Sequence, residues 1–83
     1  MNELSHTFPC DYLVKIVGVT HSDFPSEVLK IIETETTLRT HILTESKNKR
    51  YLSLSVTLHL ENELELETIY KQIKDKPYIK MIL

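Results

Sequence analysis

A single cysteine, Cys10, stands among the 83 residues, so no internal disulfide can form and no thiolate pair is available to a metal. A reducing cytoplasm suits such a chain. Gly18 is the only glycine, too few for a phosphate cradle built from successive backbone N–H groups. Lysine and arginine number 10 against 12 aspartates and glutamates, a formal charge of -2, so the basic excess of a dedicated nucleic-acid binder is missing. No apolar run approaches the ~20 residues that span a bilayer. The start MNELSHTFPCDY also lacks a basic segment followed by an apolar core, which points to an unexported protein without membrane contact. Low-complexity segments and internal repeats are absent as well. With 41% hydrophobic and 27% charged residues the composition is ordinary for a globular domain and argues against disorder. A chain of this length is read as one domain, residues 1–83, with a thin core that buries roughly 60–65% of the unfolded surface. Residues 1–7 are polar and expected to fray.

What the chain does have is a run of strict alternation. From Tyr51 to Leu60 every even position is aliphatic (Leu52, Leu54, Val56, Leu58, Leu60) and every odd one is hydroxylic, aromatic or imidazole (Tyr51, Ser53, Ser55, Thr57, His59). Successive strand side chains point to opposite faces, so this is a strand with one face in a core and the other outside it. An earlier run, 8–20, is apolar on both faces, with Val14 and Ile16 on one and Leu13, Lys15 and Val17 on the other, as in a central strand. Gly18 near its end predicts a bulge or a close backbone approach.

Between and after these strands lie two helix signatures. His21-Ser22-Asp23-Phe24-Pro25-Ser26-Glu27 supplies capping residues, a proline and a first-turn carboxylate, predicting a helix over 25–35 with Phe24, Val28, Leu29, Ile31 and Ile32 as its apolar stripe. Asn62 followed by Glu65 is a capping box ahead of Leu66, Ile69, Tyr70 and Ile73, and Pro77 cuts that helix off after 74–76. Residues 38–44 read as a strand, 45–50 as the polar turn of a hairpin, and 78–83 as a last strand. The order β-α-β-β-α-β is that of the ferredoxin-like split βαβ fold, an α+β sandwich in which a four-stranded antiparallel sheet of order 4-1-3-2 carries both helices on one face.

The other face is then open. Phasing each strand by its charged residue places Ser53, Ser55 and Thr57 there with Leu13, Lys15 and Val17, with Arg39, His41 and Leu43, and with Tyr78, Lys80 and Ile82. Lys15, Arg39, His41, Ser53, Ser55, Thr57 and Lys80 are the candidate ligand-binding residues: hydroxyls for hydrogen bonds and cations for an anionic ligand or a protein partner. A solvated face with lysine and arginine stems lying over apolar neighbours is the plainer alternative. Self-association through the face is a third, so a monomer or weak homodimer is expected.

Lys47, Lys49 and Arg50 in the hairpin turn offer a second basic spot, an alternative nucleic-acid contact, although short charge runs mostly keep a turn solvated. RNA recognition on this fold needs outward aromatics where this chain has Ser53, Ser55 and Thr57. Cys10 has Asp11 beside it, the wrong neighbour for a thiolate. His6, His21, His41 and His59 lack metal-ligand spacing, and His41 would need a partner in reach to serve as a base. Glu61, Glu63, Glu65 and Glu67 gather at the second helix start, where they complement its dipole. Residues 19–23 hold neither the two cysteines of a metal carrier nor the glycine-rich, arginine-bearing loop of an acylphosphatase. No catalytic residue, metal or cofactor is assigned.

Three stretches carry a resemblance. Residues 8–18 (FPCDYLVKIVG), 46–57 (SKNKRYLSLSVT), and 67–70 with 79–83 (ETIY, IKMIL) resemble, in collinear order, the YbeD-like family of small bacterial proteins. Its members are often labelled lipoate regulatory proteins by association. The resemblance implies a ferredoxin-like fold similar to the ligand-sensing ACT regulatory domain. It also strengthens Lys15, Ser53, Ser55, Thr57, Tyr70 and Lys80 as positions of interest, while adding nothing to Cys10, His41 or His59.

Overall fold

The computed structural model describes residues 7–83, so all of the fraying expected for residues 1–7 except at Thr7 lies outside the described residues. Among the described residues six elements follow in the expected order: β1 (Cys10–Val19), α1 (Ser26–Glu35), β2 (Thr37–Glu45), β3 (Tyr51–Leu60), α2 (Glu63–Lys74) and β4 (Ile79–Ile82). The sheet is antiparallel with order β2-β3-β1-β4, which is 4-1-3-2 read from the other edge. The two apolar-rich strands lie at its centre.

β1 and β3 pair without a shift from Cys10↔Leu60 to Val19↔Tyr51. Opposite residues share a face, so Val14 and Ile16 stand with Val56 and Leu54, and all four are buried. Val28 and Ile32 of α1 and Ile69 and Ile73 of α2, each pair four residues apart on its helix, close over them in one core. Burying a leucine such as Leu58, 1% exposed, stabilises by roughly 1.5–3 kcal/mol, so the even half of β3 drives much of the folding.

The helix starts differ in how they are capped. Asn62 accepts from Glu65 N at 3.1 Å, as the capping box predicts, while the Glu65 carboxylate accepts from Glu61 N at 2.9 Å and from the Thr36 hydroxyl at 3.2 Å. Thr36 ends α1 and its hydroxyl also donates to the His59 carbonyl at 2.6 Å, so one glutamate links the end of α1, the end of β3 and the start of α2. α1 starts one residue later than the sequence suggests, at Ser26, and has no side-chain cap. Its Ser22 instead bonds within the preceding loop, donating to the Val19 carbonyl at 2.6 Å and accepting from Phe24 N. Phe24 lies in that loop rather than on the helix, 3% exposed.

Phe24 explains Gly18. A Cβ at Gly18 would sit 2.6 Å from the Phe24 ring, too close for any side chain, and β4 shifts register between Val17 and Gly18, so both sequence expectations for this glycine hold. Tyr78 tilts against Phe24 with ring centroids 6.0 Å apart, and its hydroxyl donates to Glu27 of α1 at 2.5 Å. Burial first, then that bond, holds the phenol above its ordinary range, while the same bond holds the Glu27 carboxyl below its own. Gly18→Ala should cost about 1–3 kcal/mol in urea unfolding, since the ring must move, and Gly18→Ala with Phe24→Leu should lose less than the two singles added together.

Candidate functional site: the open face of the sheet

Register places the outward residues in rows. Ile42, Ser55 and Lys15 form the middle row, extended by backbone hydrogen bonds between Lys15 and Leu83. Thr44, Ser53, Val17 and Met81 lie on one side of it, and Thr40, Thr57 and Leu13 on the other. The next row holds Thr37, His59 and Asp11. The hydroxyl row and Lys15 thus occupy the centre, as the alternation in β3 requires.

The outer strands depart from strict alternation, and both do so at a basic residue. In β2, Leu38 faces Leu58 and Thr40 faces Thr57, leaving Arg39 as the extra residue of a bulge. In β4, Met81 faces Val17 and Ile79 faces Gly18, leaving Lys80 as the extra residue. A bulge adds one residue to a strand, so the phase reverses beyond it. His41 and Leu43 consequently stand opposite Val56 and Leu54, on the side of the sheet that carries the helices, correcting their expected place on the open face. Both remain exposed, since the helix layer does not cover this edge. Ile82 pairs with Ile16 on the helix side, and Tyr78 is in the core, which corrects those two as well. Ile42 and Met81 take the open positions instead, 66% and 51% exposed, beside Leu13 at 70%.

Arg39 and Lys80 do reach the open face, each through a contact. Arg39 Nε lies 3.6 Å from Asp11 Oδ1, and Lys80 Nζ stands 6.0 Å from the centre of the Tyr51 ring. Tyr51 is opposite Val19, in phase with the outward residues of β3. Lys15 makes no ion pair with a described residue. It is therefore the cation of the face with an unspent charge.

Asp11 and His59, neither singled out from sequence as a site, meet because they are register partners 48 residues apart. His59 Nδ1 is 2.9 Å from Asp11 and Nε2 is 3.2 Å from Glu61, so both ring nitrogens face carboxylates and neither faces the hydroxyl row. The arrangement is a cluster of carboxylate, imidazole and guanidinium groups bounding the face, without the base-to-hydroxyl contact that nucleophilic chemistry uses. Among the described residues no three His, Cys, Asp or Glu are grouped to hold a metal ion. Cys10 is half-buried at the start of β1.

The alternative basic spot is at the far end of the hairpin. Lys47, Lys49 and Arg50 are exposed, and Lys49 has a positive φ of 62°. The turn is closed by Asn48, which accepts from Arg50 N at 3.0 Å, and it docks on the end of β1. There Thr20 donates to the carbonyls of Lys49 and Arg50 at 2.8 and 3.0 Å.

A four-stranded sheet in this order with two helices behind it and an exposed face in front is an ACT-like, ferredoxin-like domain. The ACT domain from GTP pyrophosphokinase of Chlorobium tepidum superposes with a TM-score of 0.73 at 17% identity over 89% of this chain and 97% of that one. Protein HP0495 from H. pylori does so at 0.78 and 21% identity, over 95% and 86%. By sequence, residues 3–83 match the family described as protein of unknown function, DUF493, and the chain belongs to that family. A UPF0250 protein of Nitrosomonas europaea is 33% identical over 82 residues, covering 92% of this chain and 91% of its own. Such membership is consistent with the YbeD-like motifs.

The His59 hydrogen bond, followed by the charge of Arg39, holds the Asp11 carboxyl below its ordinary 3.8. A lowered carboxyl value in the folded state adds stability above the unfolded value, which is lost as pH falls through the folded one. Asp11→Asn should therefore flatten the acid limb of the stability curve between about pH 5 and pH 2, with the variant and the parent converging at the acid end in urea unfolding.

Proposed function

We propose that this domain is a non-enzymatic interaction or regulatory module of the cytoplasm that binds a protein partner through the open face of its sheet. The observation that carries the reading is the ring of exposed Leu13, Ile42 and Met81 around Lys15 and the row Ser53, Ser55 and Thr57. Large exposed apolar side chains clustered around a few polar groups mark a surface that a partner covers. Of the two occupants that a basic, hydroxylic face suggests, a small anion is the less favoured. Arg39 already has Asp11 as counter-charge, Lys80 lies at Tyr51, and only Lys15 is left at the centre. A single lysine on a flat surface holds a small anion weakly, whereas the same lysine inside an apolar patch adds orientation to a larger contact.

The ACT-like fold supports a regulatory use without naming a ligand. Nucleic-acid binding through Lys47, Lys49 and Arg50 has less behind it, because those residues lie in a turn docked on Thr20 and face no outward aromatic row.

The test is site-specific photo-crosslinking in cells. A photoreactive residue at Leu13 or Ile42 should trap a discrete adduct, one at the exposed Glu33 on α1 should not, and Lys15→Glu should reduce the trapped fraction on the order of tenfold. Equal adducts from Glu33 would refute the reading. These positions are solvent-exposed, so the substitutions should move stability by no more than ~0.5 kcal/mol.

A further inference from the structure

On the helix side of the sheet a half-open groove of about 410 Å³ runs along α2 beside β1 and the C-terminal residues Ile82 and Leu83. Val56, Leu58 and Ile73 at its base are 0–1% exposed and closed into the core, so its open apolar lining comes from the partly buried Tyr12, Leu66 and Ile82 and the exposed Leu83. Walls of this kind offer a water molecule few of the two to four polar partners it needs. The volume falls in the range of ~300–1,000 Å³ found for small-molecule sites.

The mouth is different in character. Lys71 and Lys74, one helical turn apart on α2, line it, and neither makes an ion pair with a described residue. Glu67 lines the same mouth one turn nearer the start of α2, and the half-exposed Tyr70 stands between. Positive charge is thus placed at the C-terminal part of the opening and negative charge at the N-terminal part.

From this we infer a second binding site: the groove takes an amphiphile whose unbranched aliphatic chain lies along Tyr12, Leu66, Ile82 and Leu83 and whose anionic end group meets Lys71 and Lys74. Apolar walls select the chain. The two lysines select the sign of its end group, and Glu67 turns that group away from the start of α2. The site is on the opposite side of the sheet from the open face, so either can fail without the other.

Methyl-resolved and amide NMR titrations of the whole chain test it with four ten-carbon probes, all below micelle-forming concentration at low salt: decanoate, decyl sulfate, decanol and decyltrimethylammonium. Decanoate and decyl sulfate should shift the methyls of Leu66, Ile82 and Leu83 and bind about fivefold or more tighter than decanol, with the cationic probe weakest. The double variant Lys71→Gln/Lys74→Gln alters two exposed side chains and should bring decanoate down to the affinity of decanol. The assignment is overturned if no probe shifts these methyls, if the shifts fall on Leu13 and Ile42 instead, if the cationic probe binds as well as the anionic ones, or if the double variant binds decanoate unchanged. Carboxylate and sulfate arms that differ tenfold or more would narrow the end group to the tighter of the two.

Discussion

Everything in this molecule depends on the unbroken pairing of β1 with β3, ten residues against ten. Because side chains alternate with a period of two, a slip by one position would turn Leu54, Val56 and Leu58 to the outside and bring Ser53, Ser55 and Thr57 under the helices. The unequal chemistry of the two halves of β3 makes that slip costly, and so fixes which side the helices cover. Once the register is set, Lys15 must stand beside Ser55 and Asp11 beside His59, and the grid of the open face follows.

The edges are where sequence and structure part company. The central strands were legible because their alternation, or their two-sided apolarity, reports directly on burial. Arg39 and Lys80 were also placed on the correct face, for the simple reason that a charge seldom enters a core. Carrying strict alternation past those residues misplaces His41, Leu43, Tyr78 and Ile82. Nothing at Arg39 or Lys80 announces a bulge: neither has a glycine beside it, and an extra residue in an edge strand leaves no mark in a polar pattern. The bulge at Lys80 has its sequence signal only on the neighbouring strand, in Gly18, and that glycine reports first on the Phe24 ring against it.

Long-range side-chain contacts were hidden for a related reason. Asp11 and His59 are ordinary residues in isolation, and their meeting is visible only through the register of two strands far apart in the chain. The link from Thr36 to Glu65 is of the same kind: the capping box of α2 is readable locally, but its second use, holding the end of α1, is a property of the assembled layers. The groove beside α2 could not be read at all, since its lining joins Tyr12 of β1, Leu66 of α2 and the C-terminal Ile82 and Leu83, which meet only in the assembled layers.

The two bulges have a consequence for how the protein keeps company with itself. A sheet with three large apolar side chains on its outer face and unprotected margins would invite further strands to add on, copy after copy, into a growing ribbon. An extra residue in each outer strand twists the margin and puts a fixed cation at the place where a flat template would be needed. The same irregularity that steers Arg39 and Lys80 onto the face therefore lets that face stay apolar while discouraging open-ended polymerisation along its edges.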